Sequence, residues 1–259
     1  MQDIPPSRIL IAVLLLAGTT FAFAFRSFKH ERPARLRSSS PATILWAWER
    51  PEDLRFIDSN SVGVAYLAQT IFLRGSQAVS KPRLQPLLVS PGTVVMPVTR
   101  MEVDKRDPPS LSDEQAFAAA DEIARLATPT IETIQIDFDA AQRERAFYQT
   151  MLISLRQRLP AATKISITAL GSWCQGDAWL NKLPVDETVP MLFRMGIDRN
   201  GILSHLAGSG FNSPRCQSAA GISTDEQIAN LPHFHRVYVF NPNAWDRATF
   251  NKLMENQNR

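Results

Sequence analysis

From Thr43 onward the chain alternates between short apolar, β-branched runs and longer polar or amphipathic stretches. Eight runs have strand character: residues 43–49, 62–69, 94–102, 133–139, 164–171, 189–195, 219–224 and 236–241. The fourth run is the most informative. Over residues 133–140 the polar and apolar positions alternate with period two, placing Gln135, Asp137 and Asp139 on one face and Ile134, Ile136 and Phe138 on the other. Between the third and fourth runs, Ser112 followed by Gln115 has the form of a capping box and predicts a helix to about Ala127, stopped by Pro129. After the fourth run, Phe147, Met151, Leu152, Leu155 and Leu159 form a helical apolar stripe that ends before Pro160. Residues 196–236 show turns and polar loops instead of helical periodicity, so the second half is expected to be less regular.

Strands joined by crossover helices predict an α/β fold, and eight of them predict a (β/α)8 TIM barrel over residues 43–259. The chain has 259 residues and 44% hydrophobic content, enough for one large core. In such a barrel, chemistry gathers at the C-terminal strand ends. Those ends carry Trp48, Gln69, Arg100 with Glu102, Asp137 with Asp139, Trp173, Arg194, Asp225 with Glu226, and Asn241 with Trp245 close behind. Two carboxylates on one strand face raise each other's cost of ionisation, which suits acid–base or ligand-binding work. Arg100 and Arg194 suit either of two roles: an internal counter-charge that keeps Asp137 ionised, or a clamp on an acidic sugar.

Residues 1–25 contain a 17-residue apolar run, Ile9 to Phe25, with Ala22-Phe23-Ala24 near its end. A cleaved signal peptide fits these features, and so does an uncleaved membrane anchor helix, because Arg26, Lys29, Arg32, Arg35 and Arg37 follow directly. Residues 26–42 read as a flexible basic linker. The expected location is therefore the periplasm or cell envelope, with the membrane a partner through the N-terminal segment. The net charge of +3 resides in this region, since residues 1–42 hold six Lys/Arg and two Asp/Glu and the remainder holds 22 and 23. A near-neutral body argues against nucleic acid as a partner.

The separation of Cys174 and Cys216 does not match a zinc site, and the four histidines do not suggest a metal set, so no metal is expected. In an exported domain the two cysteines can pair, or they can remain as thiols. Glycine-rich phosphate loops and a G-x-S-x-G elbow are absent, which argues against a nucleotide cofactor or a serine hydrolase; no cofactor is expected. Indole faces beside carboxylates suit sugar rings, with Trp173 and Trp245 the leading platforms and Trp46 and Trp48 divided between platform and barrel filling.

The fourth strand, the helix with Phe147-Tyr148 and Leu155-Arg156, and the strand Ile165-Ser166-Ile167-Thr168 resemble the central section of chitinase-type glycoside hydrolases. The runs Ser172-Trp173-Cys174, Pro184-Val185-Asp186-Glu187, Phe193-Arg194-Met195-Gly196 and Ser223-Thr224-Asp225-Glu226 resemble more closely a bacterial family of unknown function with a glycosidase-like barrel. The resemblance implies a barrel, and a glycoside-hydrolase-like activity on an envelope or extracellular glycan. The chitinase-type pattern D-x-D-x-E is met at Asp137 and Asp139, but the position of the general acid is Ala141. Catalysis would then draw its second carboxyl from Glu102, Asp225 or Glu226, opposite Asp139. The alternative is a non-catalytic carbohydrate-binding or scaffold protein of the envelope.

Overall fold

A computed structural model describes residues 41–176, 178–229 and 231–257. The expected signal or anchor segment, 1–25, and nearly all of the 26–42 linker lie outside the described residues.

Eight parallel strands close into a ring: β1 (Thr43–Ala47), β2 (Val62–Arg74), β3 (Val95–Val103), β4 (Thr133–Asp137), β5 (Lys164–Leu170), β6 (Glu187–Met191), β7 (Ala219–Ser223) and β8 (Arg236–Phe240). Each pairs with the next in sequence, and β1 closes the ring by pairing with both β2 and β8. This is the predicted α/β barrel. Closure pairs each strand of the ring on both sides, and the second half of β2, which runs beyond β1, pairs with an antiparallel arm, Gln77–Pro82.

The helical layer is incomplete. Helices α1 (Asp113–Ala124), α2 (Arg145–Arg158), α3 (Arg199–Ser209) and α4 (Arg247–Gln257) follow β3, β4, β6 and β8. The N-cap of α1 is Ser112, whose hydroxyl accepts the Gln115 N–H at 3.3 Å. The Gln115 side chain accepts the N–H of Leu111 at 3.0 Å, one residue short of a true capping box. Helix α3 lies where the sequence pattern gives only loops. Its buried residues are Ile202 and Leu206, and two apolar positions make too thin a stripe for periodicity to reveal. Between β5 and β6 the chain runs through 3₁₀ turns at 171–175 and 178–182, so the second half is indeed less regular. There Cys174 is disulfide-bonded to Cys216, with Cα atoms 5.9 Å apart, tying this segment to the approach to β7.

Alternation along each strand divides the core in two. Ile134, Ile136, Ile165 and Ile167 point outward to meet α1 and α2, while Ile44, Trp46, Ala65, Met96, Val98, Val189, Ala219 and Tyr238 pack inside the barrel. Gly221 makes room for the indole of Trp46, because a Cβ there would sit 2.7 Å from Cη2. A polar chain crosses the same interior. Trp46 Nε1–H donates to Gln135 Oε1 (2.8 Å), Gln135 Nε2–H to Ser166 Oγ (3.1 Å), and Ser166 Oγ–H to Glu187 Oε2 (2.8 Å). Glu187 also accepts from Tyr238 OH (2.6 Å) and from Arg236 (2.5 Å). With partners at every step, this network stays buried at little cost and fixes the height at which the cavity above begins.

Candidate functional site at the barrel mouth

Above the polar chain the barrel opens into a cavity of about 360 Å³ at the C-terminal strand ends. Its floor holds Asp137 and Thr168, adjacent on β4 and β5, and Thr168 Oγ1–H donates to Asp137 Oδ1 at 2.7 Å. Asp139 stands two residues further up, more exposed, on the loop that leaves β4. The walls are aromatic: Trp48 meets Phe240 edge-on at 6.4 Å, and Phe240 stacks on Phe193 at 5.5 Å and 3°. Arg100, Arg194, three methionines, Trp46 and Leu170 complete the lining.

Burial raises the Asp137 carboxyl from its ordinary 3.8 to about 6. The Thr168 hydrogen bond pulls it down, Asp139 pushes it up, and the more distant Arg100 and Glu102 act in opposite directions. Asp137 is half-buried in the cavity lining, and desolvation is the largest cause of its shift. Asp139 is also raised by burial, with Arg100 opposing.

Neither arginine pairs with these carboxylates. Arg100 Nε is bridged to Glu102 at 2.8 Å and its guanidinium lies 5.9 Å from the Trp48 ring. Arg194 is bound by Glu226 through both backbone and side chain and by Asp225 at 2.7 Å; Arg199 reaches Glu226 from behind at 3.0 Å. Its backbone φ of 55° is uncommon for a residue with a Cβ, and the two acids hold it there. Of the two roles open to the arginines, the internal pair with Asp137 is not formed: the hydrogen-bond partner of Asp137 is the Thr168 hydroxyl, and Arg100 acts on it only through space.

Of the residues named from the sequence, Asp137, Asp139, Trp48, Arg100 and Arg194 converge on the cavity. The others go elsewhere. Glu102, Asp225 and Glu226 are not among the residues lining the cavity and are engaged by the arginines. Gln69 is turned outward by a bulge: β2 pairs Leu67 with Val98 and then Gln69 with Thr99, so Ala68 is extra and every later residue changes face. Its amide donates to Thr99 Oγ1 (3.1 Å) and to the Glu122 carbonyl (3.2 Å) beneath α1. Trp173 is buried against Trp179 at 5.2 Å, and Trp245 is buried with its indole N–H donating to the Trp46 carbonyl at 2.9 Å, so neither offers a face to a ligand. Asn241 is buried and accepts the Thr224 hydroxyl at 2.6 Å. The residues missed were Thr168, Phe193 and Phe240. Phe240 was legible, since it shares the inward face of β8 with Tyr238 and lies one residue before Asn241.

Fold and site together define a class: a parallel α/β barrel with an acidic, aromatic-walled cavity at its C-terminal mouth. Residues 111–205 match a family described as "Domain of unknown function (DUF3142)", in line with the resemblance to a family without an assigned reaction; three of the four quoted runs lie inside this span and Ser223 to Glu226 lies beyond it. No curated protein matches. Among solved structures, the chitinase domain of the spore coat protein CotE from Clostridium difficile is similar at 9% identity with a TM-score of 0.34, over 76% of this chain and 55% of that one. This chain thus spans about half the length of that chain.

Proposed function

We propose that the barrel mouth binds a carbohydrate, as a recognition site of the cell envelope. One observation carries this reading: the cavity sets stacked and edge-on aromatic rings beside two carboxylates, apolar faces for sugar C–H groups next to strong acceptors for hydroxyls. The Cys174–Cys216 bond supports an oxidising location, as does the apolar run near the N-terminus.

Recognition fits better than hydrolysis across the mouth. Glycoside cleavage takes a carboxylic acid and a second carboxylate flanking the bond from different positions. Among the described residues, the carboxylates lining this cavity are Asp137 and Asp139, two residues apart at the end of one strand and on the loop that leaves it, while Glu102, Asp225 and Glu226 are committed to arginines. A hydrolytic reading is favoured by a single feature, the Asp137 carboxyl held at about 6, where it can donate a proton near neutrality.

The test is a panel of polysaccharides offered to the purified full chain, with binding and product release both measured. The expected result is saturable binding without cleavage, weakened by Asp139→Asn at nearly unchanged melting temperature. Cleavage lost in Asp139→Asn establishes the hydrolytic reading instead, and absence of binding across the panel refutes both.

A further inference from the structure

We propose that the saccharide bound at the mouth carries a free amine, so that an ammonium group docks on Asp137 and Asp139; this rests on the carbohydrate reading above. The charge arrangement around the cavity points to it. Arg100 and Arg194 face the cavity but are already compensated by Glu102, Asp225 and Glu226, with Arg199 engaging Glu226 from behind. The acidic pair forms no ion pair among the described residues, and Arg100 acts on it only through space. The hydrogen bond to Asp137 comes from the neutral hydroxyl of Thr168, and no hydrogen bond or ion pair to Asp139 exists among the described residues. The formal charges of these eight side chains, three arginines and five carboxylates, sum to about −2 when all are ionised. An acidic sugar would meet arginines that must first break existing pairs, and would approach two carboxylates that form no ion pair among the described residues.

The carboxyls of Asp137 and Asp139 are raised above their ordinary value by the same cause, burial that Arg100 only partly offsets, and an ammonium group would relieve both. The surroundings favour an organic cation over a metal ion. Among the described residues no group of three or more His, Cys, Asp or Glu side chains is arranged to hold a metal. Aromatic rings line the same cavity, and although Arg100 already lies over Trp48 and Phe193 stacks on Phe240, rings beside the carboxylates suit a sugar that carries an ammonium group. Specificity would follow from N-acetylation, which removes the positive charge and leaves the carboxylates unpaired.

The experiment is calorimetric titration of the full chain at low ionic strength with three ligands: a glucosamine oligomer, its fully N-acetylated counterpart and a neutral glucose oligomer. The glucosamine oligomer is expected to bind at least about tenfold more tightly than the other two. That preference should shrink as salt is added and largely vanish in Asp139→Asn. Equal or tighter binding of the acetylated or neutral oligomer overturns the amine proposal and leaves the carbohydrate reading standing. Failure of all three, with a hit elsewhere in the polysaccharide panel, also overturns the amine proposal alone; failure of the entire panel overturns both. The comparison of ligands on the unaltered chain decides the matter even if Asp139→Asn folds poorly.

Discussion

Asp137→Asn should stabilise the protein at neutral pH and not at acidic pH. In the folded state the Asp137 carboxyl is raised from 3.8 to about 6, chiefly because burial disfavours its charge. Between those two values the native chain still holds a proton that the unfolded chain has released, so stability falls as pH rises through that window and stays lower above it. A carboxyl displaced this far costs up to about 3 kcal/mol once ionised. Water entering from the mouth screens the charge, so a gain of about 1 kcal/mol is expected from the substitution, or some 2–4 °C in melting temperature for a domain of this size. The asparagine carbonyl can still accept the Thr168 hydroxyl, so the hydrogen bond on the floor of the cavity is kept. Chemical denaturation of the wild-type chain and of Asp137→Asn at several values between pH 4 and pH 8 measures the difference directly. The gain should be present at pH 8 and disappear toward pH 4. An equal effect at both ends, or a loss at pH 8, would refute burial of an uncompensated charge as the cause.

Two further predictions concern the frame that holds the cavity. Replacing Cys174 and Cys216 with alanine removes a cross-link spanning 42 residues and should cost about 4 kcal/mol by loop entropy, read as a lower denaturation midpoint that reductant reproduces in the wild-type chain; equal midpoints with and without reductant would count against it. Gly221→Val places a side chain within 2.7 Å of Trp46 and should destabilise by about 1–3 kcal/mol while altering the near-ultraviolet signal of the tryptophans, whereas unchanged stability would mean that Trp46 does not fill the barrel here.

Much of the frame is legible along the chain. Each of the eight strands overlaps its predicted run, although the sixth spans Glu187–Met191 where the pattern predicts 189–195, and β4 turns Gln135 and Asp137 inward with Ile134 and Ile136 outward, because a strand's period of two is a local property of the backbone. Helix α1 is visible from its Ser112 cap and α2 from its apolar stripe, whereas α3 buries only two residues and hides.

The amino-acid sequence by itself determined the closed parallel barrel and the acidic pair facing its mouth. What only the tertiary structure decided is the company that pair keeps. A single extra residue at Ala68 sends Gln69 to the outer face, the chain after β8 folds Trp245 under Trp46, and Arg194 turns in a left-handed backbone conformation to meet Asp225 and Glu226 instead of Asp137. Strand periodicity is written in neighbouring residues, but charge pairing depends on which distant side chains arrive within a few ångströms. No local pattern encodes that distance.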